Sequence, residues 1–346
     1  MAMKILVTGG TGYIGSHTVV ELQQKGYEVV IIDNLSNSTK EVIYSIEKIT
    51  GILPEFHEID MCDETLTKKF FSKNKDISGV IHFAAFKAVG ESMAQPLKYY
   101  HNNLFSLINL LKCMNEQKNN NLVFSSSCTV YGQPDILPVK EDAPFKKAFS
   151  PYGHTKQICE EIIDRAARIY GLKAISLRYF NPIGAHESAL IGELPIGIPN
   201  NLVPFITQTA IGKRDYLRVF GNDYNTTDGT CIRDYIHVVD IAKAHVIAIE
   251  RMLDNSSKST YEIFNLGTGN GFTVLEVIQA FEKVSGMKLN YKFVDRRPGD
   301  IEKVWADTTY ANKELGWKAE KGLEEMVLSA WEWEKKLKNA KCKMQN

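Results

Sequence analysis

Two tyrosines in this chain are each followed four residues later by a lysine, a spacing at which an ammonium group can help a phenol to accept a proton. One pair, Tyr152 and Lys156, lies in the segment SPYGHTK, where Ser150 and Pro151 are typical N-cap and N1 residues of a helix. Residues at i and i+4 share one helical face. An ammonium ~5 Å from the phenol, at an effective dielectric constant of about 20, favours the phenolate by about 3 kcal/mol. We therefore expect Lys156 to lower the pKa of Tyr152 from about 10 by roughly two units.

The other pair, Tyr44 and Lys48, has the same spacing, but we interpret it as part of an amphipathic helix with a solvated lysine. Tyr152 is favoured because it follows a strand-like run that ends in three serines, residues 125–127. The carboxyl ends of parallel strands are where ligands bind in open α/β sheets. The hydroxyl of Ser127 would then hydrogen-bond both a substrate oxygen and the phenol. A serine triplet that only caps a loop is the alternative.

A glycine-rich loop near the N-terminus predicts a dinucleotide site. The segment TGGTGYIG, with Gly9, Gly12 and Gly15, follows a short apolar run and opens a helix-like stretch. Glycines at this spacing allow a tight turn, close approach of a pyrophosphate and packing of helix on strand. A purely structural glycine turn is the alternative. The next strand-like run ends in Asp33, whose carboxylate would accept a hydrogen bond from a ribose 2′-hydroxyl and repel a 2′-phosphate, which predicts NAD rather than NADP. The positive ring of NAD⁺ would lower the pKa of Tyr152 by an amount similar to that from Lys156, and the two cations together would make a phenolate general base accessible near neutral pH.

Strand-like and helix-like segments alternate through the first half of the chain. This alternation predicts β–α–β units on a parallel sheet with both faces covered, a Rossmann-type doubly wound α/β fold. The strand-like runs cover residues 3–7, 28–32, 54–59, 79–83, 121–124 and 174–177, and long helices are predicted at 96–117 and 151–170.

The second half has a different character, and we predict a smaller mixed α/β substrate domain there. Residues 181–235 are rich in Gly, Pro and Asn and lack clear periodicity, whereas 239–252, 274–284 and 322–338 have helical patterns. The predicted domains are therefore 1–180 for the cofactor and 181–346 for the substrate. Segments around 236–266 are candidates to return to the first domain.

Composition excludes several classes of protein. Lys plus Arg and Asp plus Glu both number 41 in 346 residues, so the basic face that nucleic acid requires is not expected. The six cysteines include no CxxC pair and the eight histidines lack ligand spacing, so we expect no disulfide framework, no metal site and reduced thiols in the cytoplasm. We also expect no signal peptide and no membrane span, because no apolar stretch approaches ~20 residues.

Ten sequence blocks resemble the UDP-galactose 4-epimerase family of extended short-chain dehydrogenases/reductases. They occur in the family's order from Thr8 to about Asp307, and together they are highly specific. The blocks are TGGTGYIGSH, DNLSNS, HFAAFKAVGES, SSSCTVYG, SPYGHTK, RYFNPIGAH, GIPNNLVP, FGNDY, DGTCIRDYIHV and RRPGD.

The resemblance implies an isomerase of galactose metabolism that uses NAD, acts on UDP-glucose and UDP-galactose, and forms a homodimer. It implies Tyr152 as the base, Lys156 as its electrostatic partner and Ser127 as a hydroxyl relay. The implied cofactor residues are Gly9, Gly12, Tyr13, Ile14, Gly15, Asp33, Asn34, Asn37, Ser38, Asp60, Met61, Phe83, Ala84, Ala85, Lys87, Asn102, Tyr152, Lys156 and Phe180. The implied UDP-sugar residues are Ser127, Tyr152, Asn181, Asn201, Leu202, Arg218, Phe220, Arg233, Tyr235, Arg297, Asp300 and Val304.

Three positions deserve comment within this resemblance. Cys128 stands where a small apolar residue is common, and Arg218 occupies a variable position that faces the uridine. Val304 stands where related enzymes carry a tyrosine beside the 2-substituent of the sugar, so valine predicts room for N-acetylated UDP-sugars. The alternative is that Val304 is simply a core residue of a buried strand.

Two other functions compete with 4-epimerisation. A sugar-nucleotide 4,6-dehydratase on the same scaffold would need an acidic residue just after the active-site serine, whereas Ser127 is followed by Cys128, Thr129 and Val130. A redox-sensing Rossmann module without activity would have no need for Ser127, Tyr152 and Lys156 together. Both alternatives are disfavoured on these residues.

Overall fold

A computed structural model describes the backbone of residues 2–297 and 300–344 and the side chains up to residue 339. Two residues of the RRPGD block, Pro298 and Gly299, therefore lie outside the described residues. All the other implied site residues lie within them.

The described chain alternates strands and helices over its first half and mixes them over its second. The strands are β1 (Lys4–Thr8), β2 (Glu28–Asp33), β3 (Glu55–Glu58), β4 (Ile77–His82), β5 (Asn121–Ser127), β6 (Lys173–Tyr179), β7 (Asn181–Ile183), β8 (Leu217–Phe220), β9 (Ile232–Arg233), β10 (Tyr235–His237), β11 (Tyr261–Leu266), β12 (Phe272–Thr273), β13 (Tyr291–Val294) and β14 (Lys303–Val304). The α-helices are α1 (Tyr13–Gln24), α2 (Glu41–Thr50), α3 (Glu64–Lys73), α4 (Val89–Ala94), α5 (Pro96–Gln117), α6 (Pro151–Tyr170), α7 (Leu202–Ala210), α8 (Val238–Leu253), α9 (Val274–Ser285) and α10 (Leu323–Met344), with a 3₁₀ turn at Cys128–Tyr131 and a π-helical turn at Ala311–Leu315.

A seven-stranded sheet in the order β11-β6-β5-β4-β1-β2-β3 forms the centre of the molecule. Every neighbouring pair in this sheet is parallel. The chain order reverses between β1 and β4, which places a crevice at their carboxyl ends. This arrangement confirms the predicted Rossmann-type doubly wound fold.

Alternate side chains of the strands enter two separate hydrophobic cores, because successive residues of a strand point to opposite faces. Ile5 and Val7 pack with residues of α1, α2 and α8 on one face of the sheet. Leu6 packs with residues of α3, α5 and α6 on the other face. Both faces are thus covered, and the strand termini are left to carry the polar site residues.

Residues of the second half contribute to both parts of the structure. Strand β11 completes the large sheet beside β6, and α8 packs against it. Three small sheets, β10-β7, β12-β9-β14 and β13-β8, lie outside the large sheet. They share a further core with α7, α9 and α10. The exact division into two domains stays a prediction.

Some local elements have no clear signal in the sequence pattern, and each has a physical reason. Residues 181–235 lack a continuous apolar pattern, yet they contain α7, three short strands and the first residue of a fourth, β10. Burial against α9 and α10 stabilises elements too short for a periodic signature. The serines at 125–127 belong to β5 itself and pair with residues 177–179 of β6. The predicted helices at 96–117 and 151–170 are confirmed at both ends.

Candidate active site

The glycine loop between β1 and α1 is shaped so that side chains do not fit. Gly9 has a φ of 71°, and a Cβ added there would lie 2.8 Å from the backbone nitrogen of Ala84. A Cβ on Gly15 would lie 2.2 Å from the carbonyl oxygen of Gly9. Helix α1 begins at Tyr13, and its N-cap, Gly12, provides no side-chain cap. The loop therefore leaves free backbone N–H groups and close access for an anionic group, which fits the pyrophosphate of NAD.

Asp33, at the carboxyl end of β2, faces this loop. Its carboxylate accepts hydrogen bonds from the backbone N–H of Thr11 at 3.2 Å and of Leu35 at 2.9 Å. The hydroxyl oxygens of Thr11 and Ser38 lie 2.7 Å apart beside it. The acidic group is thus held at the end of the second strand, as a contact to the adenosine ribose requires.

The remaining implied cofactor residues occupy different positions around this edge. Phe83 and Ala84 follow β4 and abut Gly9. The thiol of Cys62, next to the buried Met61, donates to the carbonyl of Asn102 at 3.5 Å. The hydroxyl of Tyr13 donates to the carbonyl of Gly184 at 2.6 Å, so in this structure it joins the loop to the second half of the chain. Ile14, Asn34 and Ala85 are partly buried at the same edge. Phe180 is buried, whereas Asn37, Asp60 and Lys87 are exposed.

Helix α6 brings Tyr152 and Lys156 to the end of β5. The hydroxyl of Ser150 caps the helix by accepting from the N–H of Gly153 at 3.1 Å, which confirms the predicted cap. Both Tyr152 and Lys156 are buried. The Lys156 ammonium donates to the carbonyl of Ser125 at 2.7 Å and lies 6.0 Å from the centre of the Tyr152 ring.

Ser127, the last residue of β5, faces the same site. Its hydroxyl oxygen accepts from the hydroxyl of Thr129 at 3.1 Å and from the N–H of Thr129 at 3.3 Å. Burial raises the pKa of the Tyr152 phenol, and the nearby hydroxyl of Ser127 opposes that rise. The three implied catalytic residues thus meet at one strand terminus.

The expected lowering of the phenol pKa is wrong for the chain by itself. Burial raises the pKa of Tyr152 to about 12, and the nearby hydroxyl of Ser127 only partly opposes this rise. Burial also lowers the pKa of Lys156 to about 8, against the opposing effects of Cys159 and Glu160. The reason is that removal of water disfavours both charged forms, and the i+4 geometry alone does not compensate for this loss.

The implied UDP-sugar residues come from distant segments that the small sheets bring together. Asn181 of β7 is aligned with Tyr235 of β10, and Val304 of β14 is aligned with Arg233 of β9. Val304 is buried with Phe180 and residues of the 3₁₀ turn after β5. Strand β14 therefore lies beside the 3₁₀ turn that follows Ser127 of β5.

An acidic residue organises the implied arginines. Asp300 Oδ1 accepts from Arg297 Nη2 at 2.7 Å and lies 3.9 Å from Arg233 Nη2. The guanidinium carbons of Arg297 and Arg218 each lie 5.6 Å from the ring centre of Phe220. This set presents cations and an aromatic face, the groups that suit a nucleoside diphosphate.

Two residues that sequence reasoning missed, Glu193 and Glu160, support this arrangement. Glu193 accepts from the Lys87 ammonium at 3.1 Å and from the Asn201 amide at 2.6 Å, and so joins a cofactor-side residue to the N-cap of α7, which is followed by Leu202. Glu160 accepts a hydrogen bond from Ser126 in the serine strand, the end of β5 that carries the serines at 125–127. The only available signal for Glu160 was its position four residues after Lys156 on the same helical face.

Two other features bear on the function. Among the described residues, no group of three or more His, Cys, Asp or Glu side chains is arranged to hold a metal ion. None of the helices in the described part of the chain is both long and apolar enough to cross a membrane.

The fold and the site define an NAD-binding enzyme of the short-chain dehydrogenase/reductase class. Residues 6–329 match the model of a family described as GDP-mannose 4,6 dehydratase. A UDP-glucose 4-epimerase of Bacillus subtilis is 53% identical over 333 residues, which are 96% of this chain and 97% of that protein.

Two solved structures are also similar. The UDP-glucose 4-epimerase of Stenotrophomonas maltophila with bound NAD and formylated UDP-arabinopyranose has a TM-score of 0.94 at 47% identity, over 98% of this chain and 99% of that one. The enzyme of Bifidobacterium longum in complex with NAD⁺ and UDP has a TM-score of 0.93 at 46% identity, over 97% of this chain and 99% of that one. The chain belongs to the UDP-glucose 4-epimerase family, within the broader family that the matched model describes.

Proposed function

We propose that this protein interconverts UDP-glucose and UDP-galactose by NAD-dependent 4-epimerisation through a transient 4-keto sugar. The observation that carries the proposal is the convergence of Ser127, Tyr152 and Lys156 at the strand edge that also carries the glycine loop. Membership of the epimerase family supports the substrate.

In this proposal Tyr152 removes the proton from the 4-hydroxyl of the sugar, and Ser127 hydrogen-bonds the same oxygen. The glycine loop and Asp33 would hold NAD, which when bound would supply reversible hydride transfer at the sugar C4. Lys156 stabilises the phenolate that Tyr152 must form, because its ammonium lies on the same buried helical face. After the 4-keto sugar has rotated in the site, Tyr152 returns the proton to the oxygen on C4.

The arginine and asparagine side chains of the second half would hold the UDP group while the sugar rotates. Arg233 and Arg297 already share one acidic partner, Asp300, which keeps both guanidinium groups on one side of the site. A guanidinium is able to bind a diphosphate through two parallel hydrogen bonds. A ketone anchored only through its diphosphate is free to present either face to the cofactor.

The direct test is an assay of the purified protein with UDP-galactose, with the product analysed for UDP-glucose. We expect epimerised product with no net consumption of NAD. The nucleotide released on denaturation should fill a large share of the sites, because a cofactor regenerated in each cycle has no need to leave. A 4-keto-6-deoxy product would instead indicate a dehydratase, and absence of any turnover would favour a binding module.

Dehydration is the second candidate because the matched family model carries a dehydratase's name. The structure places Cys128 and Thr129 directly after Ser127, in a 3₁₀ turn with no carboxylate of its own. Thr129 instead donates a hydrogen bond to Ser127. Loss of water from the neighbouring carbons would need an acid in this position, so the geometry favours epimerisation.

Val304 bears on the breadth of substrates. Its side chain is buried in one cluster with Phe180 and Val130, beside the 3₁₀ turn that follows Ser127. We propose that valine leaves room for the N-acetyl group of UDP-N-acetylglucosamine and UDP-N-acetylgalactosamine. A larger residue would exclude this group by steric contact.

The test compares the wild type with Val304→Tyr on both pairs of substrates. We expect the wild type to epimerise N-acetylated sugars, and the variant to lose that reaction while retaining UDP-galactose activity. The proposal fails if the wild type ignores N-acetylated sugars. It also fails if the tyrosine variant processes them equally well.

We further propose that two copies associate through α5. Leu97 is 80% exposed and Phe105 is 50% exposed, and they lie eight residues apart on one helical face. Burial of such a face is a usual reason for self-association. Sedimentation equilibrium should give a dimer, and the pair Leu97→Glu and Phe105→Glu should give a monomer.

We also propose that the protein acts in the cytoplasm, where the free thiols of the five described cysteines would stay reduced.

A further inference from the structure

The buried face of α6 carries a third charged residue. Glu160 follows Lys156 by four residues, and Lys156 follows Tyr152 by the same interval, so all three share one helical face. The side chain of Glu160 is only 2% exposed. A carboxylate this deeply buried requires a specific set of partners.

The partners of Glu160 come from the two strands beneath the helix. Oε2 accepts from Arg178 Nη2 at 2.6 Å and Nε at 3.2 Å, and Oε1 accepts from the same Nε at 3.0 Å. Oε1 also accepts from the hydroxyl of Ser126. Ser126 lies between Ser125, whose carbonyl holds the Lys156 ammonium, and Ser127. The Glu160 carboxylate is thus hydrogen-bonded to Ser126, which lies between Ser125, the partner of Lys156, and Ser127, the proposed partner of the substrate.

Arg178 is fully engaged on its other side. Its Nη1 donates to the hydroxyl of Tyr131 at 2.8 Å and to the carbonyl of Glu141 at 3.0 Å. Tyr131 in turn donates to Asn265 at 2.6 Å. The network therefore joins α6, β5, β6 and β11. Buried ion pairs contribute little to stability compared with well-packed apolar residues, so stability alone is a weak reason for the charge.

We infer that Glu160 is a positioning residue for the proposed epimerisation: it keeps the Lys156 ammonium charged and holds the serine strand against Tyr152. This inference rests on the proposed function. The ammonium is useful only while it is protonated, because a neutral amine does not stabilise a phenolate.

The surroundings of Lys156 contain few other groups able to perform this task. Burial lowers the pKa of Lys156 to about 8, while Cys159 and Glu160 raise it. The pKa of Cys159 is itself raised by burial to about 12, so its thiol is neutral at physiological pH. The buried titratable groups near Lys156 include Tyr152, Cys159 and Glu160 on α6, Arg178 and Tyr179 on β6, His82 on β4, Tyr99 on α5 and Tyr131 in the 3₁₀ turn. Tyr261 and Glu262 lie on β11, and Glu141 lies in the loop after the turn, further along the same network.

The test measures kcat against pH for Glu160→Gln, which keeps the size and a hydrogen-bond acceptor but removes the charge. Loss of the anion should lower the pKa of Lys156, so the alkaline loss of activity should begin about one pH unit lower than in the wild type. Glu160→Asp retains the charge, and its alkaline limb should stay at the wild-type position even if kcat falls.

Glu262 offers a matched control. Its side chain is 3% exposed and forms a two-point ion pair with Arg251, at 2.8 Å for both bonds, on β11 and α8. Glu262→Gln therefore removes an equally buried carboxylate without contact to Lys156. It should lower the melting temperature but leave the pH profile unchanged.

A further variant guards against failure of Glu160→Gln to fold. Ser126→Ala keeps the Glu160–Arg178 ion pair and removes only the hydroxyl that ties Glu160 to β5, so kcat should fall while the alkaline limb stays at the wild-type position. A wild-type kcat in Ser126→Ala would contradict the positioning role. The inference is overturned if the folded Glu160 variants have the wild-type profile, or if Glu262→Gln shifts the limb equally. An inactive wild type would instead contradict the proposed function itself.

Discussion

Helices α2 and α6 carry the same tyrosine–lysine spacing in two different environments. Tyr44 in α2 is 50% exposed and Lys48 is exposed. Tyr152 in α6 is 9% exposed and Lys156 is 3% exposed, and both lie over the serine strand. The difference shows that the spacing supplies only a shared face. Contact with the end of β5 and removal from water distinguish the α6 pair, which we propose as the reactive one.

Replacing each tyrosine by phenylalanine is the sharpest test of this difference. Tyr152→Phe removes the proton acceptor and keeps the ring, so we expect kcat to fall by at least ~10²-fold. Tyr44→Phe should leave kcat near the wild-type value. Initial rates with UDP-galactose, at equal NAD occupancy, make the comparison. Equal losses of kcat in the two variants would show that Tyr152 of α6 is not the general base.

The pH dependence of the wild type should report the environment of α6. Burial holds the pKa of Lys156 at about 8, so the ammonium is charged below this pH and neutral above it. We expect kcat to fall as pH rises through about 8, since the phenolate then loses its cationic neighbour. Lys48→Met should leave this limb in place, because Lys48 lies on a solvated face. A flat profile up to pH about 10 would contradict the role of Lys156.

The smallest effect is expected from the stability of α2. The double substitution Tyr44→Phe with Lys48→Met changes an exposed face, so the free energy of unfolding should change by less than about 0.5 kcal/mol. Urea unfolding followed by circular dichroism measures it. A loss of several kcal/mol would mean that this surface of α2 is covered by a partner.

Much of the cofactor side was predictable because its signals are local. The glycine loop, the cap at Ser150 and the acidic end of β2 each depend on residues a few positions apart. Family membership and the doubly wound fold are confirmed by the comparisons and the sheet order. The individual roles of the implied cofactor and UDP-sugar residues stay predictions.

The sugar side was less predictable from pattern alone. Helix α7 lies in a segment without clear periodicity, and Glu193, between Lys87 and Asn201, belongs to no motif that spacing could reveal. The expected direction of the pKa shift of Tyr152 was wrong because spacing accounts for the Lys156 ammonium and not for burial. Desolvation depends on every element that covers a side chain.

The sequence by itself determined where the chain turns, which helix carries the tyrosine and lysine, and which strand ends are polar, since nearest-neighbour sterics and hydrogen bonds act over a few residues. Only the tertiary structure decided that Asp300 meets Arg233 and Arg297. It also decided that Glu160 of α6 contacts Arg178 and Ser126 on the strands beneath the helix. These contacts join segments far apart in the chain, and packing of the two cores brings them together.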